Sequence, residues 1–211
     1  MKDFYQELSE YTGRNLNLVY ERCQTARVEL AWLWEQYKND PIAYYRDSDL
    51  YIFDLSFYCQ LIQDSGFYQQ YEKILKDFQI KTCLDFGGGI GEYAIIACNN
   101  GIKTDYLEIE ESKTLEYAKY RFKQYGVEPT ILGLNDEIGK YDLIVAMDVF
   151  EHILDNKPVI EKCAQSCKYM ICNTPEELPY NFIYPQHISK LNLNPYFDLI
   201  EGRLWKSKIK I

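Results

Sequence analysis

The segment Cys83-Leu84-Asp85-Phe86-Gly87-Gly88-Gly89-Ile90-Gly91-Glu92-Tyr93 has the residue types of a ligand-binding turn. An apolar strand-like run leads into it, and its glycines let backbone N–H groups approach a bound molecule. A helical pattern follows, and a helix N-terminus there favours an anion or a carboxylate. The dinucleotide fingerprint G-x-G-x-x-G fits at Gly87 and Gly89 but puts Glu92 in its third position. An acid there crowds and repels a pyrophosphate, so a dehydrogenase is disfavoured. A second acid, Glu108, ends the next apolar run, Asp105-Tyr106-Leu107. A carboxylate at the carboxyl end of a second strand can accept hydrogen bonds from both hydroxyls of a ribose. The run Leu143 to Met147 is continuously apolar, as in a strand buried on both faces. Its carboxyl end delivers Met147, Asp148, Glu151 and His152 to the crevice where open α/β sheets bind ligands. The other histidine, His187, follows the fifth strand and is expected on the same rim. A histidine can take a proton near neutral pH, so both are candidate catalytic residues.

The seven cysteines supply no comparable pattern. Cys163, Cys167 and Cys172 are spaced C-x3-C-x4-C, whereas the iron–sulfur motif of radical enzymes is C-x3-C-x2-C. Cys163 and Cys167 also fit one helix face as small buried residues. There is no C-x2-C pair, and with only His152 and His187 available no metal site is expected. An odd number of cysteines without an apolar leader segment reads as reduced thiols, hence a cytoplasmic location.

Two kinds of periodicity position these residues. Residues 1–78 hold 17 of the 33 aromatic residues, and their pattern is helical. Leu16, Val19, Tyr20, Cys23, Arg27, Leu30, Trp34 and Tyr37 recur at i, i+3, i+4 and i+7. Asn39-Asp40-Pro41 stops that helix, and two more are predicted over 50–62 and 67–78. From Ile80 short β-like runs alternate with helices. Strands are predicted near 80–86, 103–108, 130–134, 142–147, 168–173, 197–201 and 204–210, and helices near 91–100, 111–125 and 155–166. Such alternation implies βαβ units and a mostly parallel sheet. The expected architecture is α/β, with an N-terminal helical cap (1–78) packed directly on a sheet domain (79–211).

The pattern D-x-G-x-G-x-G at Asp85, Gly87, Gly89 and Gly91 resembles motif I of the class I S-adenosylmethionine-dependent methyltransferases. Glu108 and the segment from Tyr141-Asp142 to Glu151-His152 match further motifs of that superfamily in the right order. The resemblance covers about 79–211. It implies a Rossmann-like seven-stranded sheet with an antiparallel last strand. It also implies S-adenosyl-L-methionine as cofactor and S-adenosyl-L-homocysteine as product. Asp85, Gly87, Gly89, Gly91 and Met147 would then contact the cofactor. Glu108 would hold its ribose, Ile109 its adenine face and Asp136 its adenine amino group. Tyr44, Tyr45, Tyr51 and Asp148 become candidate substrate-binding residues, the tyrosines enclosing an apolar or cationic acceptor. The simpler alternative for such aromatics is core.

Charge narrows the acceptor. A net charge of −9 and a pI near 4.8 repel phosphate backbones, and no Lys/Arg run is present. Asn173-Thr174-Pro175 is not the Asn-Pro-Pro-Tyr signature of nucleobase amino methyltransferases. Nucleic acid is therefore not expected as a partner, and no apolar stretch approaches membrane-spanning length. The expected reaction is methyl transfer to oxygen or nitrogen of a small molecule in a biosynthetic pathway. The alternatives are a peptide or protein acceptor, and a non-catalytic cofactor-binding subunit. The aromatic N-terminal helices are also a candidate homodimer surface.

Overall fold

The apolar runs around Leu84 and Ile144 lie side by side at the centre of one sheet. In the computed structural model, which describes residues 3–174 and 184–210, β1 (Thr82–Phe86) pairs in parallel with β2 (Lys103–Leu107) and β4 (Tyr141–Ala146). β3 (Thr130–Leu132) lies beyond β2, and β5 (Cys167–Cys172) beyond β4. β7 (Leu204–Ser207) runs antiparallel to both β5 and the edge strand β6 (Phe197–Glu201). The order is β3-β2-β1-β4-β5-β7-β6, a seven-stranded Rossmann-like sheet with its last strand reversed. Strand order changes direction between β1 and β4, and such a switch point opens a crevice at the carboxyl ends of the strands.

Side-chain alternation sends the central strands to two apolar cores. Cys83, Leu143 and Val145 enter one, while Leu84, Ile144 and Ala146 enter the other. The second core is closed by Ile160, Cys163 and Ala164 of α8 (Lys157–Ser166). A third cluster joins α6 (Glu92–Asn99), β2 and α7 (Lys113–Tyr125) through Ile95, Tyr106, Leu115 and Phe122. All seven cysteines are free thiols, and Cys163, Cys167 and Cys172 are core residues.

Five helices precede the sheet: α1 (Phe4–Thr12), α2 (Leu16–Tyr37), α3 (Pro41–Asp47), α4 (Tyr51–Asp64) and α5 (Phe67–Asp77). Four of them share the first core with the sheet: Phe4, Leu8, Val19, Phe53 and Tyr71 are buried in the same cluster as Cys83 and Leu143, while Tyr44 of α3 packs with Leu30 and Trp34. Two of these helices were not predicted. α1 is short and is started by Asp3, whose carboxylate accepts from the N–H groups of Tyr5 and Gln6. Asp40-Pro41 ends one helix but also begins the next: Asp40 accepts from Ala43 N–H, and Pro41 occupies the first helical turn. β3 is shorter than predicted because Gly133 N–H donates to Asp136, turning the chain at once. No described helix is long and apolar enough to cross a membrane.

One buried cation ties this assembly to the glycine turn. Arg121 on α7 is fully buried. Its Nε donates to Glu7 on α1, its Nη2 to Glu92 at the start of α6, and its Nη1 to the carbonyl of Ile90, each at 2.6 Å. Burial alone would lower its pKa; the charges of Glu92 and Glu7 outweigh that and raise it. Removing one partner of a buried ion network typically costs about 3–5 kcal/mol, because the other charges stay buried and unpaired. Arg121→Met is therefore expected to lower the unfolding free energy by about that much, with Glu7→Gln intermediate, in urea titrations. A loss no larger than that from removing the exposed Lys113–Glu116 pair would refute this reading of the network.

Candidate active site

The turn after β1 is held open by its neighbours. Gly87 and Gly88 N–H groups donate to the carbonyl of Leu107 at 2.9 and 3.2 Å, which fastens the turn to the end of β2. Gly89 N–H donates to Glu108 Oε2 at 2.8 Å, and Tyr106 Oη donates to the Gly89 carbonyl. A Cβ on Gly88 would lie 2.6 Å from Tyr106 and 2.7 Å from Asp85, so only glycine fits there. Asp85 accepts from Ala94 N–H at 3.0 Å and is buried beneath the turn.

Above the turn lies a cavity of about 650 Å³, within the range of small-ligand sites. Asp85, Gly87, Gly89, Glu108, Ile109, Met147, Asp148, Tyr45, Tyr51, His152 and His187 line it, so the structure gathers most of the expected site residues. Three expected residues lie elsewhere. Gly91, at φ 77°, faces away from the cavity, and a Cβ there would meet Phe122 of α7 at 2.5 Å. It serves close helix packing. Asp136 is exposed and accepts from Gly133 N–H, capping its own turn; Leu134 lines the cavity instead. Tyr44 is fully buried, donates to the Leu30 carbonyl, and packs on Trp34. Sequence spacing could not separate Tyr44 from Tyr45, because neighbours on a short helix differ only in the face they present.

Carboxyl groups of Asp54, Asp85, Glu92, Glu108 and Asp148 line the cavity along with two cations, Arg27, paired with Asp54, and Arg203. Burial pushes the Asp85 carboxyl up to about 7, helped by the nearby charges of Glu108 and Glu92 and opposed by the Ala94 hydrogen bond. Burial likewise lifts Glu108 to about 7, against two backbone hydrogen bonds that favour its charged form. Glu92 is turned onto Arg121, so its charge is compensated there. Repulsion of a pyrophosphate therefore falls to Asp85 and Glu108 rather than to Glu92.

The opposite wall is built on the carboxyl ends of β4 and β5. Asp148 adopts φ 53°. Asn173, one residue past β5, holds it there: Asp148 N–H donates to Asn173 Oδ1 at 2.9 Å, and Asn173 Nδ2 donates to Asp148 Oδ1 at 2.7 Å. A short 3₁₀ turn, Phe150–His152, follows. Its Glu151 carbonyl accepts from the N–H groups of Ile188 and Ser189 at 2.9 and 3.0 Å, which draws residues 186–189 alongside. His152 and His187 thereby face each other with ring centroids 4.9 Å apart, and Tyr45 lies edge-on to His152 at 5.5 Å. Burial, then the nearby His187, lowers the His152 pKa to about 3, so its imidazole is neutral. Burial and the charge of Asp148 raise the Glu151 carboxyl. Leu55, Tyr58 and Tyr93 complete the lining; α4 supplies the first two, and Leu55 reaches over Gly89.

A crevice at the switch point, roofed by helices and floored by a glycine turn next to an acid-tipped second strand, is the layout implied by the sequence motifs. Residues 54–205 match a family model described as a methyltransferase domain. The chain belongs to this methyltransferase family. The donor that its sequence motifs imply is S-adenosyl-L-methionine. The site fits that donor: acid-lined walls suit a cationic sulfonium and ammonium. One solved structure shares the fold, and others are similar at lower scores. TehB from Haemophilus influenzae is 12% identical over 66% of this chain and 62% of its own, with a TM-score of 0.52. A methyltransferase dependent on S-adenosylmethionine from Clostridium acetobutylicum is 19% identical, over 57% of this chain and 56% of its own, at 0.47. The O-methyltransferase of a Brevibacillus brevis trans-AT PKS multienzyme, in complex with S-adenosyl-L-homocysteine, is 24% identical over 50% and 40%, at 0.39. The chain thus spans less than two thirds of each of these proteins. No curated protein matches the sequence.

Gly91 separates packing from ligand contact in a measurable way. A left-handed residue with a Cβ costs about 1–2 kcal/mol, and overpacking adds about 1–3 kcal/mol. Gly91→Ala, with both penalties, is expected to lose about 2–5 kcal/mol in chemical denaturation, and Gly13→Ala, at φ 65° in open space, only about 1–2 kcal/mol. Equal losses would show that Phe122 yields freely.

Proposed function

We propose that this enzyme methylates an oxygen or nitrogen of a small molecule held in the aromatic half of the cavity. The observation that carries this reading is the enclosure of Tyr45, Tyr51, Tyr58, His152 and His187 under α3 and α4, opposite the glycine turn. An aromatic chamber of that kind suits a compact acceptor better than an extended polymer. A biosynthetic role accords with such an acceptor.

The donor contacts follow from the same geometry. Glu108 retains lone pairs on both oxygens beyond those used by Gly89 and Ile109, and these would accept from the ribose hydroxyls. Ile109 and Leu134 would flank the adenine, and Met147 would pack beside it. Bound S-adenosyl-L-methionine supplies a methyl group already activated on a sulfonium, so the chain's own residues have only to bind, orient and exclude water. Asp148, fixed by Asn173, would orient a polar group of the acceptor. His152 and His187, both on the wall of the chamber, would face the acceptor's O–H or N–H.

Glu108 gives this reading a pH signature. Ribose recognition needs the carboxylate, and the acid form prevails below a pKa of about 7. Affinity for S-adenosyl-L-methionine, measured by calorimetric titration, should therefore be level above pH 8 and fall as pH drops through 7. Charge-assisted hydrogen bonds are worth about 1.5–3 kcal/mol each, so Glu108→Gln should weaken binding by at least about tenfold at pH 8 and flatten the decline below 7. Unchanged affinity in Glu108→Gln, or affinity that rises on acidification, would overturn the ribose assignment. Turnover is then tested with a panel of hydroxylated and amino acceptors.

A further inference from the structure

A second convergence of chemically competent groups lies across the cavity from the glycine turn. One carboxylate oxygen of Glu151 and one ring nitrogen each of His152 and His187 lie within 4.8 Å of one another. Two independent observations give this cluster the character of a binding site. Glu151 is 1% exposed, and its Oε1 has no hydrogen-bond partner among the described residues. A buried carboxylate oxygen in that condition is costly unless a cation or a donor completes it. In addition, His152 Nδ1 lies 3.1 Å from the Gln186 carbonyl oxygen, which can only accept. Nδ1 therefore carries the ring proton, and Nε2 keeps its lone pair; this is the way metal-binding histidines are commonly oriented.

The backbone around the cluster is already assembled. Besides the two N–H bonds to the Glu151 carbonyl, Asn156 Nδ2 donates to the carbonyls of Phe150 and Lys190 at 3.0 and 3.3 Å. These bonds clamp the segment bearing His187 to the turn bearing Glu151 and His152, although the two lie some 35 residues apart in sequence.

We propose that Glu151, His152 and His187 bind a divalent transition-metal ion in the wall of the acceptor chamber. Two imidazoles and a carboxylate suit zinc, cobalt, iron or manganese better than magnesium or calcium, which favour all-oxygen shells. Bonds of about 2.0–2.2 Å bring such ligands closer together than they stand now, a change that side-chain rotation accommodates. Three protein ligands leave a position open, and both histidines face the cavity. Resting on the reading of that chamber as the acceptor site, the open position takes an acceptor oxygen. The ion then orients a hydroxyl and lowers its pKa, which makes hydroxyl-bearing molecules the preferred acceptors.

The test uses the full chain, stripped with a chelator and titrated with Co²⁺ while its visible d–d bands and binding heat are followed. S-adenosyl-L-methionine affinity is measured on the same samples. One equivalent of Co²⁺ is expected, displaceable by Zn²⁺, with binding weakened at least tenfold in both His187→Ala and Glu151→Gln. Circular dichroism and retained S-adenosyl-L-methionine affinity show that the variants are folded. Absence of Co²⁺ bands in wild type, or equal binding in the variants, overturns the metal site. Co²⁺ binding without S-adenosyl-L-methionine binding would leave the metal site standing and sink the assignment of the donor site instead.

Discussion

A guanidinium with no access to water has to find its hydrogen-bond acceptors inside the protein, and Arg121 finds them on three separate elements. Glu7 comes from the first helix, Glu92 from the helix that follows the glycine turn, and the Ile90 carbonyl from the turn itself. Leaving any of these groups unpaired in a low-dielectric interior is expensive, so the elements must arrive together. The consequence reaches the active site directly. The turn that approaches the ligand is pinned from behind by Arg121, from below by Asp85 through Ala94, and from the side by Leu107 and Glu108. The path of the turn is thus set before any ligand arrives, with the Gly87, Gly88 and Gly89 N–H groups already bonded to Leu107 and Glu108.

The same interior explains why the cavity is electrically unusual. Asp54, Asp85, Glu108 and Asp148 all line it, and burial holds the carboxyls of Asp54, Asp85 and Glu108 above their ordinary range. Carboxylates kept from water favour a cationic guest, because the guest replaces the stabilisation that hydration would have supplied. A sulfonium donor meets that need on the glycine side. On the opposite wall His152 and His187 stand beside Glu151. The two halves of the cavity therefore differ in chemistry: buried carboxyls beside the glycine turn, and imidazole and phenol rings on the other wall.

Individual residues show how far the site was legible. Glu108 and His152 could be placed by their nearness to strand ends, because parallel strands deliver their carboxyl ends to one crevice whatever the side chains are; His187 lies 15 residues past β5 and is drawn in by the bonds to the Glu151 carbonyl. Gly91 belongs to the same glycine pattern yet serves helix packing, since Phe122, the residue it must clear, is 31 positions away. Asp136 had the right position for a ligand contact, but a local hydrogen bond to Gly133 claimed its carboxylate first. Asn173 gave no signal of its own; its role exists only because β4 and β5 end side by side and leave Asp148 in a left-handed conformation.

The sequence alone determined the α/β class, the strand sequence, the glycine turn and the acid at the tip of the second strand, because each rests on local periodicity or on spacing within one βαβ unit. It also put His152 just past the fourth strand and His187 after the fifth, on the same rim. The tertiary structure decided which of two adjacent tyrosines faces the cavity, where the charge of Glu92 goes, and that Glu151 lies beside the two histidines. Those outcomes depend on contacts between residues distant in the chain. Burial and hydrogen-bond completion select such contacts only when all the elements are packed together.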